Sequence, residues 1–483
     1  MAGTNACATG ATGITAGSAG LVFSLGRDQG LELHPDEVRA MLVNSATDIY
    51  VEGSGGDRSP WFPSSPGWDV MFGYGRVNIG KALATFSVPP RVHLTSPVWF
   101  QYLDATTTST IEVKASLGAP HAASYGWKLE WAPGGAAADT EFTELTSGSS
   151  TSPQEGVIFR WSVASIPQDR LDPARPLEQV TTDDDVLRRF GKVNVHTITL
   201  RLTATDSNGH TAEMRKAFFL HEDPDLRPGF PLYIGASGES APLLVDVDGD
   251  GVLDILMGTA SGTVHLIDGR TSSEHAGWPI QVPLTRYVDP AIAGSHAQAP
   301  AFASGGVTPM RQGVLSTTAV GDLEGDGLNE VVVSTMDGLT FVYSATGLLR
   351  RGFPVSREPV SDADTDEWNW FDPGFLSSPL LVDLDGEGTL EIVQAGMDQK
   401  IYAWRDDGSR LEGWPVVLEH EDSERHIKGR IVSSPVAVDM NDDGVLDLVI
   451  GSNEYDPELY FPGYAYAVSG LGYLDPDGPL IRG

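Results

Sequence analysis

The chain of 483 residues is poor in cysteine, with Cys7 alone, so no intramolecular disulfide can form. That fits the cytosol, and equally the secreted bacterial proteins that use metal ions where others use disulfides. Basic residues are also scarce: 31 Lys and Arg stand against 66 Asp and Glu, for a net charge of −35. Nucleic acid and anionic membrane surfaces both require positive potential, so both are excluded as partners, and cations are favoured as ligands. No apolar run approaches the roughly 18 residues that span a bilayer, which excludes membrane insertion by a helix. The apolar stretch at 10–23 is rich in Gly and Thr, and no Lys or Arg precedes it. It makes a poor secretory signal, and an exported form is expected to carry its signal upstream.

What is present falls into three regimes, as the length suggests. Residues 1–88 read as helices around a Gly- and Ser-rich loop at 52–66. Small residues dominate from Ala6 to Leu21, HPDEVRAMLVNSA (34–46) has Pro35 at a helix start, and VNIGKALATF (77–86) closes the regime. Residues 89–222 switch to period two. Tyr125, Trp127, Leu129 and Trp131 alternate, as do Ile198, Leu200 and Leu202, and the second run turns at Asn208-Gly209. Such strands over this length predict a β-sandwich, and its last hairpin is similar to the closing strands of immunoglobulin-like modules.

Residues 223–483 repeat. SAPLLVDVDGDGVLDILMG is followed by STTAVGDLEGDGLNEVVVS, SSPLLVDLDGEGTLEIVQA and SSPVAVDMNDDGVLDLVIG. Each unit reads as strand, acidic loop, strand, Gly turn, strand and a Gly-Pro corner, the pattern of β-propeller blades with insertions. An extra GFP at 229–231 precedes the first unit, where an outer strand of another blade would lie.

The loops answer the charge imbalance. With Asp246 as position one, side-chain oxygens fall at one, three, five and nine (Asp246, Asp248, Asp250, Asp254), glycine at six, and the Val252 carbonyl at seven. A tight loop wrapping a hard cation such as Ca2+ uses these offsets. An EF-hand would need Glu at position twelve, where Met257 stands, and its flanks would be helical, not strand-like. The spacing recurs with Asp322, Glu324, Asp326, Leu328 and Glu330; with Asp383, Asp385, Glu387, Thr389 and Glu391; and with Asp439, Asn441, Asp443, Val445 and Asp447. Acidic turns that merely stay solvated would not explain the fixed offsets. About four structural Ca2+ are therefore expected. Binding should be weaker where Glu replaces Asp in the second and third loops, and Asn441 costs the fourth loop one charge.

These repeats resemble the FG-GAP or VCBS repeats of integrin-like β-propellers over about half the chain. The resemblance implies calcium ions that pin the inter-strand loops, and a protein or glycan ligand on the propeller face. The insertions at 287–316, 357–376 and 453–464 would build that face, with Trp368, Trp370 and Tyr460 as local insert cores or sugar-stacking groups. Only four units and a fragment are counted, fewer than such propellers usually have, so closure is left open.

At the other end, GTNACATGATG (3–13), the EVRAMLVNSATD segment and GWDVMFGYGRVNIGKAL (67–83) resemble the carboxy-terminal part of subtilisin-like serine peptidases. Asn5 occupies the position aligned with the nucleophilic serine, and Thr9 or Gly10 falls where that family has proline. An amide is no nucleophile, and losing the serine costs roughly a million-fold in such enzymes. The family's Asp and His motifs would precede this segment, and H-G-T occurs nowhere in the chain. Ser18 lies in a helical run rather than a nucleophile elbow, HEDSERH (420–426) reads as a solvated loop, and Cys7 as small-residue packing.

The chain is therefore expected to be multidomain and mainly β: a small helical subtilase-like segment (1–88), an immunoglobulin-like β-sandwich (89–222) and calcium-binding propeller blades (223–483). The expected setting is extracellular or cell-surface, with no catalytic residues and with a missing amino-terminal peptidase half as the natural partner of the helical segment. That segment, lacking its cover, is expected to be the least stable region. Two alternatives remain: a full-length active secreted serine endopeptidase, or a lectin-like or adhesive binding module.

Overall fold

Hydrophobic spacing sets the local structure throughout the computed structural model, which describes residues 7–49, 66–69, 72–135, 137, 139–167, 196–222, 226–303, 308–359, 374–418, 430–453 and 463–472. The chain is mainly β and divides into two compact units, Met1–Leu226 and Arg227–Gly483. Among the described residues no helix is long and apolar enough to cross a membrane.

The first unit begins with helices α1 (Cys7–Asp28), α2 (Pro35–Ser45) and α3 (Ile79–Ala84). Pro35 suits the first turn of α2, where its missing N–H costs nothing, and a capping box closes that end. Glu37 accepts from the His34 amide at 2.7 Å, and His34 Nδ1 accepts from the Asp36 amide at 3.2 Å. Val22, Leu33, Val38, Met41 and Ala82 form the apolar contact among these helices. Helix α1 leaves Ile14 and Leu21 exposed.

Among the described residues eight strands follow: β1 (Arg91–Ser96), β2 (Tyr102–Asp104), β3 (Thr110–Gly118), β4 (Tyr125–Pro133), β5 (Thr143–Ser150), β6 (Gln154–Ser162), β7 (Thr197–Asp206) and β8 (Thr211–His221). They make two sheets, ordered β1-β3-β6 and β2-β8-β7-β4-β5. The β7–β8 turn falls at Asn208-Gly209, as the dipeptide predicts, with Gly209 at a φ of +86°. Ile198, Leu200, Leu202 and Phe218 from one sheet meet Leu94, Ile111, Val113 and Trp161 from the other in one core. Full burial of each such side chain is worth about 1.5–3 kcal/mol. The helical segment is tied to this layer. Ala40 enters the same core, Arg39 donates to the Glu213 carbonyl at 3.1 and 3.0 Å, and the buried Glu37 carboxylate takes Arg91 Nε at 2.9 Å.

The second unit consists of successive antiparallel meanders. The first holds β9 (Leu243–Val245), β10 (Asp254–Gly258), β11 (Thr263–Ile267) and β12 (Ile280–Gln281). The second holds β13 (Ala319–Gly321), β14 (Glu330–Ser334), β15 (Leu339–Ser344) and β16 (Val355–Ser356). The third holds β17 (Leu380–Val382), β18 (Glu391–Ala395), β19 (Lys400–Trp404) and β20 (Val416–Val417). The fourth sheet has β21 (Val436–Val438), β22 (Asp447–Asn453) and β23 (Gly463–Ser469) among the described residues. Strand β14 shows why these strands lack alternation. Val331 and Val333 face the first meander while Val332 faces the third, so both faces are buried.

Each Gly-aromatic-Pro corner docks on the turn of the following meander. A side-chain carbon on Gly277 would sit 2.2 Å from the Thr346 carbonyl oxygen, and one on Gly352 would sit 2.0 Å from that of Asp407. Trp278 Nε1 donates to the Ala345 carbonyl at 2.9 Å across the first such joint. The extra corner at 229–231 does the same: Ser272 in the first meander donates to the Pro228 carbonyl at 3.2 Å.

Candidate metal centres

Each acidic loop joins the first two strands of its meander, β9 to β10, β13 to β14, β17 to β18 and β21 to β22. The glycines at position six all require a left-handed backbone, with φ of +80° at Gly251, +86° at Gly327, +91° at Gly388 and +86° at Gly444. Position four needs it too. Gly249, Gly325 and Gly386 stand there in the first three loops, and Asp442, with φ of +59°, in the fourth. The offsets did not single out that position; Asp is among the side chains that tolerate it.

Two hydrogen-bond patterns recur in all four loops. The position-one carboxylate gathers amides of the turn. Asp246 accepts from Gly249 and Gly251 at 2.8 Å, Asp322 from Gly327 at 2.7 Å, Asp383 from Gly386 at 2.7 Å, and Asp439 from Gly444 at 2.9 Å. The position-nine carboxylate takes the amide of position two. Asp254 accepts from Val247 at 3.1 Å, Glu330 from Leu323 at 3.0 Å, Glu391 from Leu384 at 2.8 Å and Asp447 from Met440 at 3.1 Å. The loop is thereby folded back on its first strand.

In the first and third loops, positions one, three and nine converge. Oxygens of Asp246, Asp248 and Asp254 lie within 4.8 Å of one another, as do those of Asp383, Asp385 and Glu391. Asp250, Asp326 and Asp443 at position five each accept the amide two residues on, at 2.8 Å, and position three does likewise for the amide of position five, as Asp248 does for Asp250 at 3.1 Å. Among the described residues no hydrogen bond ends on the carbonyls of Val252, Leu328, Thr389 or Val445 at position seven. In the fourth loop Asn441 Nδ2 donates to Asp443 at 2.8 Å.

The third loop poses the sharpest electrostatic problem. Glu391 is 1% exposed, and its Oε1 has no hydrogen-bond partner. Burial, with the charges of Asp385 and Asp383, pushes its carboxyl above the usual range against the pull of the Leu384 amide and Arg405. An unpaired buried carboxylate oxygen beside two further carboxylates is the donor set a hard cation neutralises.

Basic residues near the loops lie on or after the third strand, beyond the reach of the repeat pattern. His275 Nε2 lies 2.9 Å from Asp254 and Arg270 pairs with Asp250 at 3.1 Å in the first meander. Arg350 contacts both Glu324 at 2.7 Å and Glu330 at 3.0 Å in the second, and Arg405 contacts Asp385 at 3.0 Å in the third. The second loop, with Asp322, Glu324 and Glu330 at the corresponding positions, is not among the converged groups.

Asn5, Trp368, Trp370, Tyr460 and HEDSERH lie outside the described residues. Ser18 lies inside α1, where its hydroxyl donates to the Ile14 carbonyl at 2.8 Å.

No family model and no curated protein matches the sequence. Among solved structures, the C-terminal domain of PilY1 from Pseudomonas aeruginosa is similar at 11% identity and a TM-score of 0.33, over 59% of this chain and 61% of that one. BBS1N in complex with ARL6DN is similar at 12% identity and 0.26, over 57% of this chain and 73% of that one. A quinohemoprotein alcohol dehydrogenase from Comamonas testosteroni is similar at 11% and 0.29, over 57% of this chain and 50% of that one. The chain thus spans less than two thirds of the PilY1 domain and half of the dehydrogenase, and at these scores the likenesses carry no functional argument.

Proposed function

We propose that this is an extracellular or cell-surface binding protein whose Arg227–Gly483 unit is a calcium-stabilised β-propeller array of the FG-GAP or VCBS type. The two-sheet layer is an immunoglobulin-like spacer, and the helical segment is related to subtilisin-like peptidases without peptidase activity. The observation that carries the calcium assignment is Glu391: a buried carboxylate with one oxygen unpartnered, meeting Asp383 and Asp385 at a strand-linking loop. Asp383, Asp385, Glu391 and the Thr389 carbonyl would hold the ion there. Asp246, Asp248, Asp254 and the Val252 carbonyl would do so in the first loop. Bound calcium would supply positive charge that offsets the mutual repulsion of these acids. The chain's own part is to present them: the position-six glycine turns the loop, and the position-nine carboxylate clamps it to the first strand. Loops fixed in this way would hold the meanders rigid enough to present a protein or glycan ligand.

The experiment is calcium titration of the chelator-stripped full chain by calorimetry, with bound metal counted by native mass spectrometry. The reading expects stoichiometric uptake and a raised melting temperature for the second unit. A chain that takes up no calcium, with an unchanged melt, overturns it.

A further inference from the structure

The second loop has the acids for a cation but not the arrangement. Asp322, Glu324 and Glu330 occupy the positions held by Asp383, Asp385 and Glu391 in the third loop, so residue chemistry alone does not separate the two. In the third loop the three oxygens converge, Arg405 reaches only Asp385, and Glu391 Oε1 is left without a partner. In the second, Arg350 places Nη2 2.7 Å from Glu324 Oε2 and Nη1 3.0 Å from Glu330 Oε1, while Glu330 Oε2 takes the Leu323 amide. Both oxygens of the position-nine carboxylate are therefore satisfied. Position three is aspartate in the first and third loops, asparagine in the fourth, and glutamate only here. The longer arm brings that carboxylate to the guanidinium, whose rigid fork suits two carboxylates at once. Asn329 also ties this loop to the first, donating from Nδ2 to the Asp246 carbonyl at 3.1 Å.

We propose that the second loop carries its own cation: the Arg350 guanidinium, clasped by Glu324 and Glu330, stands where a divalent ion would stand in the third loop, so this meander is locked without metal. The proposal rests on the calcium reading for the other loops and refines it, because it makes the meanders unequal in their need for the ion. The Glu at position three is then an arginine clasp, not a weakened calcium ligand.

Amide hydrogen exchange of the full chain, with calcium and then with chelator, tests this locally. In the unsubstituted protein, chelation should speed exchange at Gly386 and Gly388 by about tenfold or more, and at Asp326, Gly327 and Leu328 by less than about twofold. In Arg350→Gln the second-loop amides should become chelator-sensitive, and native mass spectrometry should count one more calcium per chain. Glu324→Asp, which shortens one arm of the clasp, should shift the second loop the same way and serves if Arg350→Gln folds poorly. Second-loop amides that respond to chelator as strongly as the third-loop amides overturn the proposal while leaving the calcium reading intact. So does an unchanged ion count in a folded Arg350→Gln. If no loop responds, the calcium reading fails and this proposal falls with it.

Discussion

Glu391→Gln should reverse the sign of its effect with calcium. Without the ion, the native protein holds a carboxylate at 1% exposure with one oxygen unpartnered. The effective cost of burying an ion is several kcal/mol, partly offset here by the Leu384 amide at 2.8 Å. The neutral amide keeps the size and the acceptor for Leu384, and can donate toward Asp383 or Asp385. In chelator the variant should therefore match or exceed the parent, by about 1–3 kcal/mol. With calcium at about a hundredfold over Kd, an intact site adds about 2.7 kcal/mol. For a unit of this size that is about 5–10 °C in melting temperature. The variant loses most of it. Scanning calorimetry of both proteins, with chelator and with calcium, gives the double difference directly. A variant less stable than its parent in chelator, or one raised by calcium as fully as the parent, would refute the reasoning that this oxygen awaits a cation.

Gly352→Ala should destabilise the second unit by about 2–4 kcal/mol, because φ is +94° and the new carbon would lie 2.0 Å from the Asp407 carbonyl oxygen; urea denaturation followed by tryptophan fluorescence checks it. Burial works to raise the Asp36 carboxyl, but the hydrogen bond and charge of His93, with His34 and Arg39, hold it below its usual 3.8. Its contribution is therefore present above that value and lost as pH falls through the lower folded one, so Asp36→Asn should weaken the first unit near about pH 5, by an amount that shrinks as pH is lowered further. Urea midpoints of the two proteins across that range decide this. A fluorophosphonate probe should leave the full chain unlabelled; labelling would restore the peptidase alternative.

Much of the local structure was legible because it depends on neighbours in sequence. Asn208-Gly209 marks its own turn, Pro35 its own helix start, and the loop offsets mark the glycine at which each strand-linking loop turns. The use of positions one, three and nine was less legible. Position five accepts the amide two residues on, as Asp250 does from Val252, and the spacing gives no sign of whether it joins the cluster. Arg350 and His275 were not legible at all. They reach the loops only through strand pairing, at separations that vary with turn length from meander to meander. Ala40 shows the same limit: its segment was readable as a helix, but not that this residue would enter the core between the two sheets.

The glycine corners give the second unit a direction. Each corner rests on the turn of the meander after it, so a meander that loosens removes the seat from under its predecessor as well as its own strands. Weakness introduced late in the series should spread backward through Gly352 and then Gly277, and the segment at 229–231, seated on the first turn, would register the failure last.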